Sequence, residues 1–332
     1  MINEYPTNIR RWTLLAAMVG ATIGAAGLPS GAWAQGLSKR PIRLIVPTTP
    51  ATGPDIVARI LAPRIQARWD QPVVVENHVG ASGSIGAELV TRAPADGHVM
   101  LVNVSTMFLY PNLMKVNFDV VRSFQAVIHL ASTSFALAVP PSFPASNMQE
   151  FITYVKARPG QLHYASAGMG THHHLSMELL KLSTGLNIVH VPYKGTAGAT
   201  SDLLGGQIQM MMMPIHVALP MQKAGRIKLL GESMRERHPL FPELPSIQEQ
   251  GVRDYNVDLW LAVWGPAGLP VDIVAKYNAL LREIVAESET REKFVQQGLV
   301  IKTSTPEELA QISKAEFEKW GKVVRDAKIS AD

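Results

Sequence analysis

Two apolar stretches decide the fold: Ser-Phe-Ala-Leu-Ala-Val at residues 134–139 and Val-Asp-Leu-Trp-Leu-Ala-Val at residues 257–263. Each is typical of a buried strand. Strands alternate with helical patterns before the first stretch and again between the two, which predicts an α/β fold with mostly parallel sheets. We therefore expect two lobes, one built from residues 35–139 and 257–332 and the other from residues 140–256. The two stretches would cross between the lobes and act as hinges.

Local signals mark helix breaks and helix starts. Pro63 lies inside an otherwise continuous helical pattern and predicts a kink or a restart. Ser146 followed by Gln149 predicts a capping box at the start of a helix over residues 148–157.

Composition excludes several functions. Lys and Arg number 31 against 27 Asp and Glu, a net charge of +4 without any basic block, so we expect no nucleic-acid partner. The chain has no cysteine, which excludes disulfides, thiolate nucleophiles and zinc–thiolate sites.

The first 34 residues have the pattern of a signal peptide. Arg10-Arg11 is followed by an uncharged segment over residues 12–28, and Ala32-Trp33-Ala34 provides small residues for cleavage before Gln35. We expect export to the periplasm, by either the Sec or the twin-arginine route. A retained N-terminal anchor is the alternative.

Four segments that follow predicted strands contain small, hydroxyl or glycine residues: 47–55, 80–86, 103–106 and 166–174. In α/β sheets this edge binds ligands, and a helix N-terminus holds a carboxylate through backbone N–H groups without Lys or Arg. For segment 80–86 a plain tight turn is the better interpretation. The predicted ligand-binding residues are Thr48, Thr49, Thr52, Gly53, Ser105, Thr106, Ser166, Ala167, Gly168, Thr171, His174 and Met213.

Metal, cofactor and catalytic sites are not expected. Consecutive residues on a helix point about 100° apart, so His172-His173-His174 cannot all face one ion. Met210–Met213 is a run of methionines typical of a buried strand, although Met213 at its end could line a pocket. Dinucleotide, P-loop and nucleophile-elbow motifs are missing from the sequence, which argues against an enzyme.

Ordered segments along the chain resemble one family, the substrate-binding proteins of tripartite tricarboxylate transporters, also called the Bug family. The matching segments are KRPIRLIVP at 39–47, QPVVVEN at 71–77, GAE at 86–88, ADGH at 95–98, YASAG at 164–168, HVPYKG at 190–195, DLLGGQ at 202–207 and WGKVV at 320–324. The resemblance implies a two-lobed periplasmic binding fold of type II with Venus-flytrap closure. It also implies that loops of both lobes hold a small carboxylate through main chain, hydroxyls and water.

Three segments depart from the family pattern. Thr48 replaces an aromatic residue and Ala51-Thr52 a glycine pair; Met169 stands where Asn is frequent; and Met213 stands where Asp is frequent. Without that aspartate an ammonium group would lack a buried partner. We therefore expect an acid without an ammonium group, preferably an aromatic one of the benzoate or phthalate type, with dicarboxylates second.

These features predict a monomeric, non-enzymatic solute-binding protein that delivers its ligand to the permease of a tripartite-type transporter. The alternative is a ligand-sensing partner of a periplasmic sensor kinase. Lobe closure would serve both functions, so the sequence leaves the two open.

Overall fold

The computed structural model describes residues 39–329, and the expected signal peptide and its cleavage site before Gln35 lie outside them. The strands are β1 (Ile42–Val46), β2 (Val73–Asn77), β3 (Val99–Val104), β4 (Phe124–Thr133), β5 (Phe135–Val139), β6 (His163–Ser166), β7 (Val189–Pro192), β8 (Met210–Pro214), β9 (Lys228–Glu232), β10 (Leu259–Pro266) and β11 (Val300–Ile301). The helices are α1 (Gly53–Trp69), α2 (Ser84–Thr91), α3 (Tyr110–Leu113), α4 (Met148–Lys156), α5 (His172–Thr184), α6 (Thr196–Leu204), α7 (Ile215–Lys223), α8 (Val271–Ala286), α9 (Ser288–Gln296) and α10 (Pro306–Asp326).

The strands form two sheets. One has the order β11-β4-β10-β3-β1-β2 and the other the order β7-β6-β8-β5-β9. The strand β1 pairs in parallel with β2 and β3, and β6 pairs in parallel with β7 and β8. The expected α/β architecture with mostly parallel strand directions is therefore confirmed.

The crossing strands run against this direction. In the first sheet β10 lies antiparallel between β3 and β4, and in the second sheet β5 lies antiparallel between β8 and β9. The strand at 135–139 thus pairs within the second sheet, whereas our expected lobe division counted it with the first. The position of the lobe boundary itself stays a prediction.

The core consists of separate apolar clusters on the two sheets, and α10 contributes to one cluster on each sheet. Its first half places Leu309 in the cluster of the first sheet, with Trp260 and Trp264. Its second half places Trp320 and Val324 in the cluster that covers β5 and β8. This helix therefore ties the two sheets together by burying apolar side chains on each.

Three local features differ from the sequence-based predictions. The strand β4 was not expected, because Gln125, His129 and Ser132 interrupt its apolar residues and it shows no regular alternation. The cap of α4 is Asn147, which accepts from the N–H of Glu150, so the cap lies one residue after the predicted Ser146 and the Ser146–Gln149 capping box does not form. The helix α1 continues through Pro63 without the predicted restart.

Pro63 is tolerated because it lies on the solvent side of α1. The buried face of this helix is formed by Val57, Leu61 and Ile65 at i, i+4 spacing. Water can therefore bind the carbonyl that loses its intrahelical donor. Within the described part of the chain, no helix has both the length and the apolar character that crossing a membrane requires.

We expect the substitution Pro63→Ala to raise the free energy of unfolding by about 1–2 kcal/mol. Alanine restores the N–H of residue 63 and with it the intrahelical hydrogen bond that proline lacks. Alanine also gives the unfolded chain more conformational entropy than proline does, which offsets part of this stabilisation. Urea denaturation measures the change. Pro306→Ala is the control, because Pro306 occupies the first turn of α10, where proline fits, and this change should be neutral or slightly destabilising. Equal effects of the two substitutions would contradict the argument.

Candidate ligand-binding site

The carboxyl edges of the two sheets adjoin where the chain crosses between them. The strand β4 ends at Thr133 and β5 begins at Phe135, so only Ser134 separates the sheets. Because β5 is antiparallel to its neighbours, its first residue lies beside Pro214, the last residue of β8. The loops after the parallel strands of both sheets therefore lie around this crossing, at the edge where α/β proteins bind ligands.

The loop after β1 is held by a buried carboxylate. Asp55, in the first turn of α1, accepts from the backbone N–H of Ala51 at 2.9 Å and from the Asn77 amide at 2.9 Å, and Arg59 binds it at 3.0 Å. The same Asn77 amide donates to the carbonyl of Thr48 at 3.0 Å. Burial acts to raise the pKa of Asp55, but these hydrogen bonds outweigh it and keep the pKa below its ordinary value.

The predicted threonines of this loop bind one another. The hydroxyls of Thr48 and Thr52 lie 2.6 Å apart, and the Thr52 hydroxyl donates to the carbonyl of Thr49 at 2.8 Å. Gly53 begins α1 directly after them. Ala51 has a φ of 64°, a conformation that glycine adopts more easily, which agrees with the glycine expected at this place in relatives.

The loop after β6 is shaped by hydroxyl groups. The Ser166 hydroxyl accepts from the N–H of Gly168 at 3.1 Å, and the Thr171 hydroxyl donates to the carbonyl of Gly168 at 2.8 Å. The carbonyl of Ala167 accepts from the N–H of Gly195 at 3.2 Å. Gly168 has a φ of 130°, which a residue with a side chain would rarely adopt. The loop thus keeps a fixed backbone path into α5.

Two stacked histidines support this loop. The rings of His174 and His190 lie 4.0 Å apart and nearly parallel. The Nδ1 atom of His174 accepts from the N–H of Gly170 at 3.1 Å, and Nε2 of His190 lies 2.6 Å from the Ser166 hydroxyl. Burial lowers the pKa of each imidazole to about 4. Both rings are therefore neutral near pH 7, as the acceptor role of His174 requires.

His172 joins the second sheet to the loop after β3. Its Nδ1 lies 3.0 Å from the hydroxyl of Thr106 and its Nε2 3.4 Å from that of Ser105. The Ser105 hydroxyl also accepts from the backbone N–H of Trp260 at 3.4 Å. Burial lowers the pKa of His172 to about 3, so the neutral ring can donate to one hydroxyl and accept from the other.

The three consecutive histidines have different surroundings, as their helical spacing predicts. His172 faces the first sheet, His174 faces the preceding loop, and His173 packs against Phe135. Among residues 39–329, no group of three or more His, Cys, Asp or Glu side chains has an arrangement that could hold a metal ion.

Met213 lies apart from the other predicted residues. Its side chain is fully buried in the apolar cluster that α6 and α7 form on β8, together with Ala136 and Ile215. Met212 and Met210 point to the opposite face of the sheet, against α5. The methionine run therefore forms a core strand, and a role of Met213 in a pocket stays a prediction.

Four site residues were not expected. Asn77 and Arg59 fix the loop after β1, His190 fixes the loop after β6, and His172 binds the hydroxyls of the loop after β3. Asn77 could have been found, because it ends β2 at the carboxyl edge of the sheet. His190 begins one of the segments that resemble the family, but the sequence does not place it beside Ser166, since this contact depends on the parallel pairing of β6 with β7.

Paired loops at the carboxyl edges of two sheets, rich in backbone donors and hydroxyls, define a receptor for a small solute. The family described as "Tripartite tricarboxylate transporter family receptor" matches residues 57–329. The chain belongs to this family, and it is a binding protein and not an enzyme.

Known proteins of similar sequence and structure agree with this assignment. BugT of Bordetella pertussis is 31% identical over 317 residues, which cover 95% of this chain and 97% of that protein. The structure of R. palustris Rpa4515 with adipate has a TM-score of 0.75 and 31% identity, covering 87% of this chain and 98% of that one. MatC of Rhodopseudomonas palustris with bound malate has a TM-score of 0.70 and 29% identity, with coverages of 86% and 99%. The expected family and the expected two-lobed fold are confirmed.

We expect the free energy of unfolding to fall as the pH is lowered from 7 to 5, and to fall less in a His174→Asn variant. Between the ordinary histidine pKa of about 6.5 and the folded value of about 4, the unfolded chain binds a proton at His174 that the folded chain does not. This group alone then removes about 1–2 kcal/mol of stability. Asparagine keeps an acceptor for the Gly170 N–H but does not titrate.

Urea denaturation of both proteins at pH 7 and pH 5 gives the comparison, and titratable groups that do not contact His174 contribute equally to each. The same loss in both proteins would mean that His174 titrates normally in the folded state.

Proposed function

We propose that the protein is exported to the periplasm, captures a small organic carboxylate between its two lobes and delivers it to the permease of a tripartite tricarboxylate-type transporter. The observation that carries this proposal is the pair of preformed loops, one on each sheet. The segments 47–55 and 166–174 contain no Lys or Arg, yet each leads into a helix N-terminus. Backbone N–H groups and the partial positive charge of the helix suit an anion.

Relatives support a carboxylate as the ligand. Adipate and malate, the acids named for two structures of similar fold, are both carboxylates without an ammonium group. In this chain the Asp55 carboxylate is engaged by Arg59, Asn77 and the loop backbone, so it is not available to pair with a ligand ammonium. An acid without an ammonium group therefore fits best, and both aromatic acids and dicarboxylates belong to this class.

Export and delivery rest on the sequence and on the family. The pattern of the first 34 residues is that of a signal peptide, and the family description names the transporter. We propose that the protein acts as a monomer whose lobes close over the acid through the crossing strands. The ligand-binding residues would be those predicted from the sequence in the loops after β1, β3 and β6, with Ser105 and Thr106 oriented by His172.

We expect carboxylic acids without an ammonium group to raise the melting temperature most in a thermal-shift panel. The panel contains aspartate, glutamate, citrate, succinate, adipate, malate, benzoate and phthalate. A ligand ammonium would be desolvated without a partner carboxylate, which disfavours the two amino acids. If aspartate or glutamate binds more tightly than every other acid, the proposed ligand class is wrong; if none of a wider acid panel binds, the proposed function is wrong.

We expect Gly168→Val to weaken binding of the best acid by at least about 2 kcal/mol, because its φ of 130° is strained for valine and the N–H groups would shift. Calorimetry measures the affinity. Gly185→Val is the matched control, since Gly185 also has a positive φ but caps the far end of α5 with no atom within 4 Å of an added Cβ. Lys194→Ala, at an exposed residue, should cost less affinity than Gly168→Val. The reverse order would indicate a site clamped by lysine.

A further inference from the structure

Three side chains form a short hydrogen-bonded chain where the two sheets adjoin. Nε2 of His172 lies 3.4 Å from the Ser105 hydroxyl, and Nδ1 of the same ring lies 3.0 Å from the Thr106 hydroxyl. The Ser105 oxygen also accepts from the backbone N–H of Trp260 at 3.4 Å. Burial lowers the pKa of His172 to about 3, so near pH 7 the ring has one N–H and one bare nitrogen. The hydrogens of this chain can therefore run in two directions, one for each tautomer of the ring.

The first direction leaves a buried hydrogen without an acceptor. If Nε2 carries the ring proton, it donates to the Ser105 oxygen, and the Thr106 hydroxyl donates to Nδ1. The Ser105 hydrogen then has no further acceptor within residues 39–329. Ser105 is fully buried, so its hydrogen would have left water without a replacement partner, which is unfavourable.

The second direction uses every buried hydrogen. If Nδ1 carries the ring proton, the Ser105 hydroxyl donates to Nε2, and the Nδ1–H donates to the Thr106 oxygen. The hydrogen that stays unused is then that of Thr106, a residue that is partly exposed. Water or a ligand can accept it. The second direction is therefore the more stable one.

Two buried aromatic side chains hold the ring of His172 in place. Phe135 lies parallel to it, with the ring centroids 6.3 Å apart, and Trp320 packs edge-on at 5.5 Å. Both aromatic side chains are almost completely shielded from solvent. These contacts keep the ring in the plane in which both of its nitrogens reach their hydroxyls.

Other hydroxyls predicted to lie in the site give their hydrogens to the protein. Thr52 and Thr171 each donate to a backbone carbonyl of their own loop at 2.8 Å. The Thr48 hydroxyl lies 2.6 Å from that of Thr52, whose hydrogen is already used, so Thr48 donates to it. Ser166 has a backbone carbonyl at 3.0 Å and an imidazole nitrogen at 2.6 Å. Thr106 differs from these four because its hydrogen is left over.

We propose that His172 is a positioning residue: its Nδ1–H donates to the Thr106 oxygen and leaves the Thr106 O–H to donate to a carboxylate oxygen of the bound acid. This inference rests on the proposed function and deepens it. Of the two hydroxyls in the loop after β3, only Thr106 has a hydrogen to give, and Ser105 acts by fixing the ring. A hydroxyl that donates to an ionised carboxylate forms a stronger hydrogen bond than one between neutral groups.

The tautomer of His172 is measured without any ligand. Nitrogen-15 NMR of the protein with labelled histidine separates a protonated ring nitrogen from a bare one, and the spectrum of His172→Asn identifies the signals of residue 172 by their loss. At pH 7 we expect the proton on Nδ1 and a bare Nε2. A proton on Nε2 would overturn this inference, whatever acid the protein binds.

Variants of Thr106 test its role as the donor. Calorimetry gives the affinity for adipate, malate or whichever other acid of the thermal-shift panel raises the melting temperature most. Thr106→Val removes the hydroxyl at nearly constant shape and should weaken binding at least about tenfold, whereas Thr106→Ser should stay within about threefold of the wild type. Thr153→Val is the matched control and should leave the affinity unchanged, because the Thr153 hydroxyl donates to the Gln149 carbonyl on the exposed side of α4.

Variants of His172 test whether it acts through Thr106. His172→Asn places an amide N–H near the position of Nδ1 and can still donate to Thr106, whereas the amide of His172→Gln lies near the position of Nε2. The asparagine variant should stay within about threefold of the wild-type affinity, and the glutamine variant should lose about as much as Thr106→Val. In the Thr106→Val background His172→Gln should cost less than about twofold more, since the hydroxyl that it orients is already missing. If His172→Gln does not fold, the NMR spectrum and the Thr106 variants still decide.

The outcomes distinguish the two proposals. A wild-type protein that binds no acid of the panel overturns the proposed function, and with it the role given to Thr106. A wild-type protein that binds an acid while Thr106→Val keeps the full affinity overturns this inference alone. So do losses that simply add in the double variant, or equal losses in His172→Asn and His172→Gln, because a merely structural role of the ring would produce them.

Discussion

Antiparallel pairing of the two crossing strands is the constraint on which the rest of the structure depends. The strands β5 and β10 each pair antiparallel with a neighbour on both sides, inside sheets whose remaining strands run in one direction except for the short edge strand β11. A strand that enters a sheet at the carboxyl ends of its parallel strands must run antiparallel to those strands. Because the chain arrives there from the other sheet, the crossing strand keeps the carboxyl edges of the two sheets next to each other. This arrangement places the loop after β3 against the start of α5, where His172 binds Ser105 and Thr106.

A site that holds an anion without side-chain cations needs a rigid backbone, since N–H groups bind well only when they already point at the ligand. In this protein the rigidity comes from buried polar groups behind the loops. Asp55 and Asn77 fix the first loop, and the stacked His174 and His190 fix the second. These groups orient the loop backbone through the hydrogen bonds that they make within the protein.

Elements with a strong local signal were predictable. The run Ile42–Val46 and the i, i+4 pattern of α1 gave the first strand and helix, and the hydroxyl-rich segments after β1 and β6 were correctly placed at the carboxyl edge. The strand β4 was missed because Gln125, His129 and Ser132 interrupt its apolar residues, and β11 because two residues give no pattern. The predicted restart at Pro63 was wrong, because Pro63 lies on the solvent side of α1, where water can bind the carbonyl that loses its donor.

The sequence by itself determined the α/β class, the family and the loops in which a ligand site can form, because these depend on local periodicity and on short ordered motifs. Only the tertiary structure decided which side chains act in those loops. His190 reaches Ser166 through the pairing of β7 with β6, and Met213 enters the core because its face of β8 is covered by α6 and α7. The sequence does not distinguish the three consecutive histidines at 172–174, yet their different directions around one helical turn give each of them different surroundings. The burial of each of these side chains and its hydrogen-bond partners depend on residues distant in the chain, so no local sequence pattern encodes them.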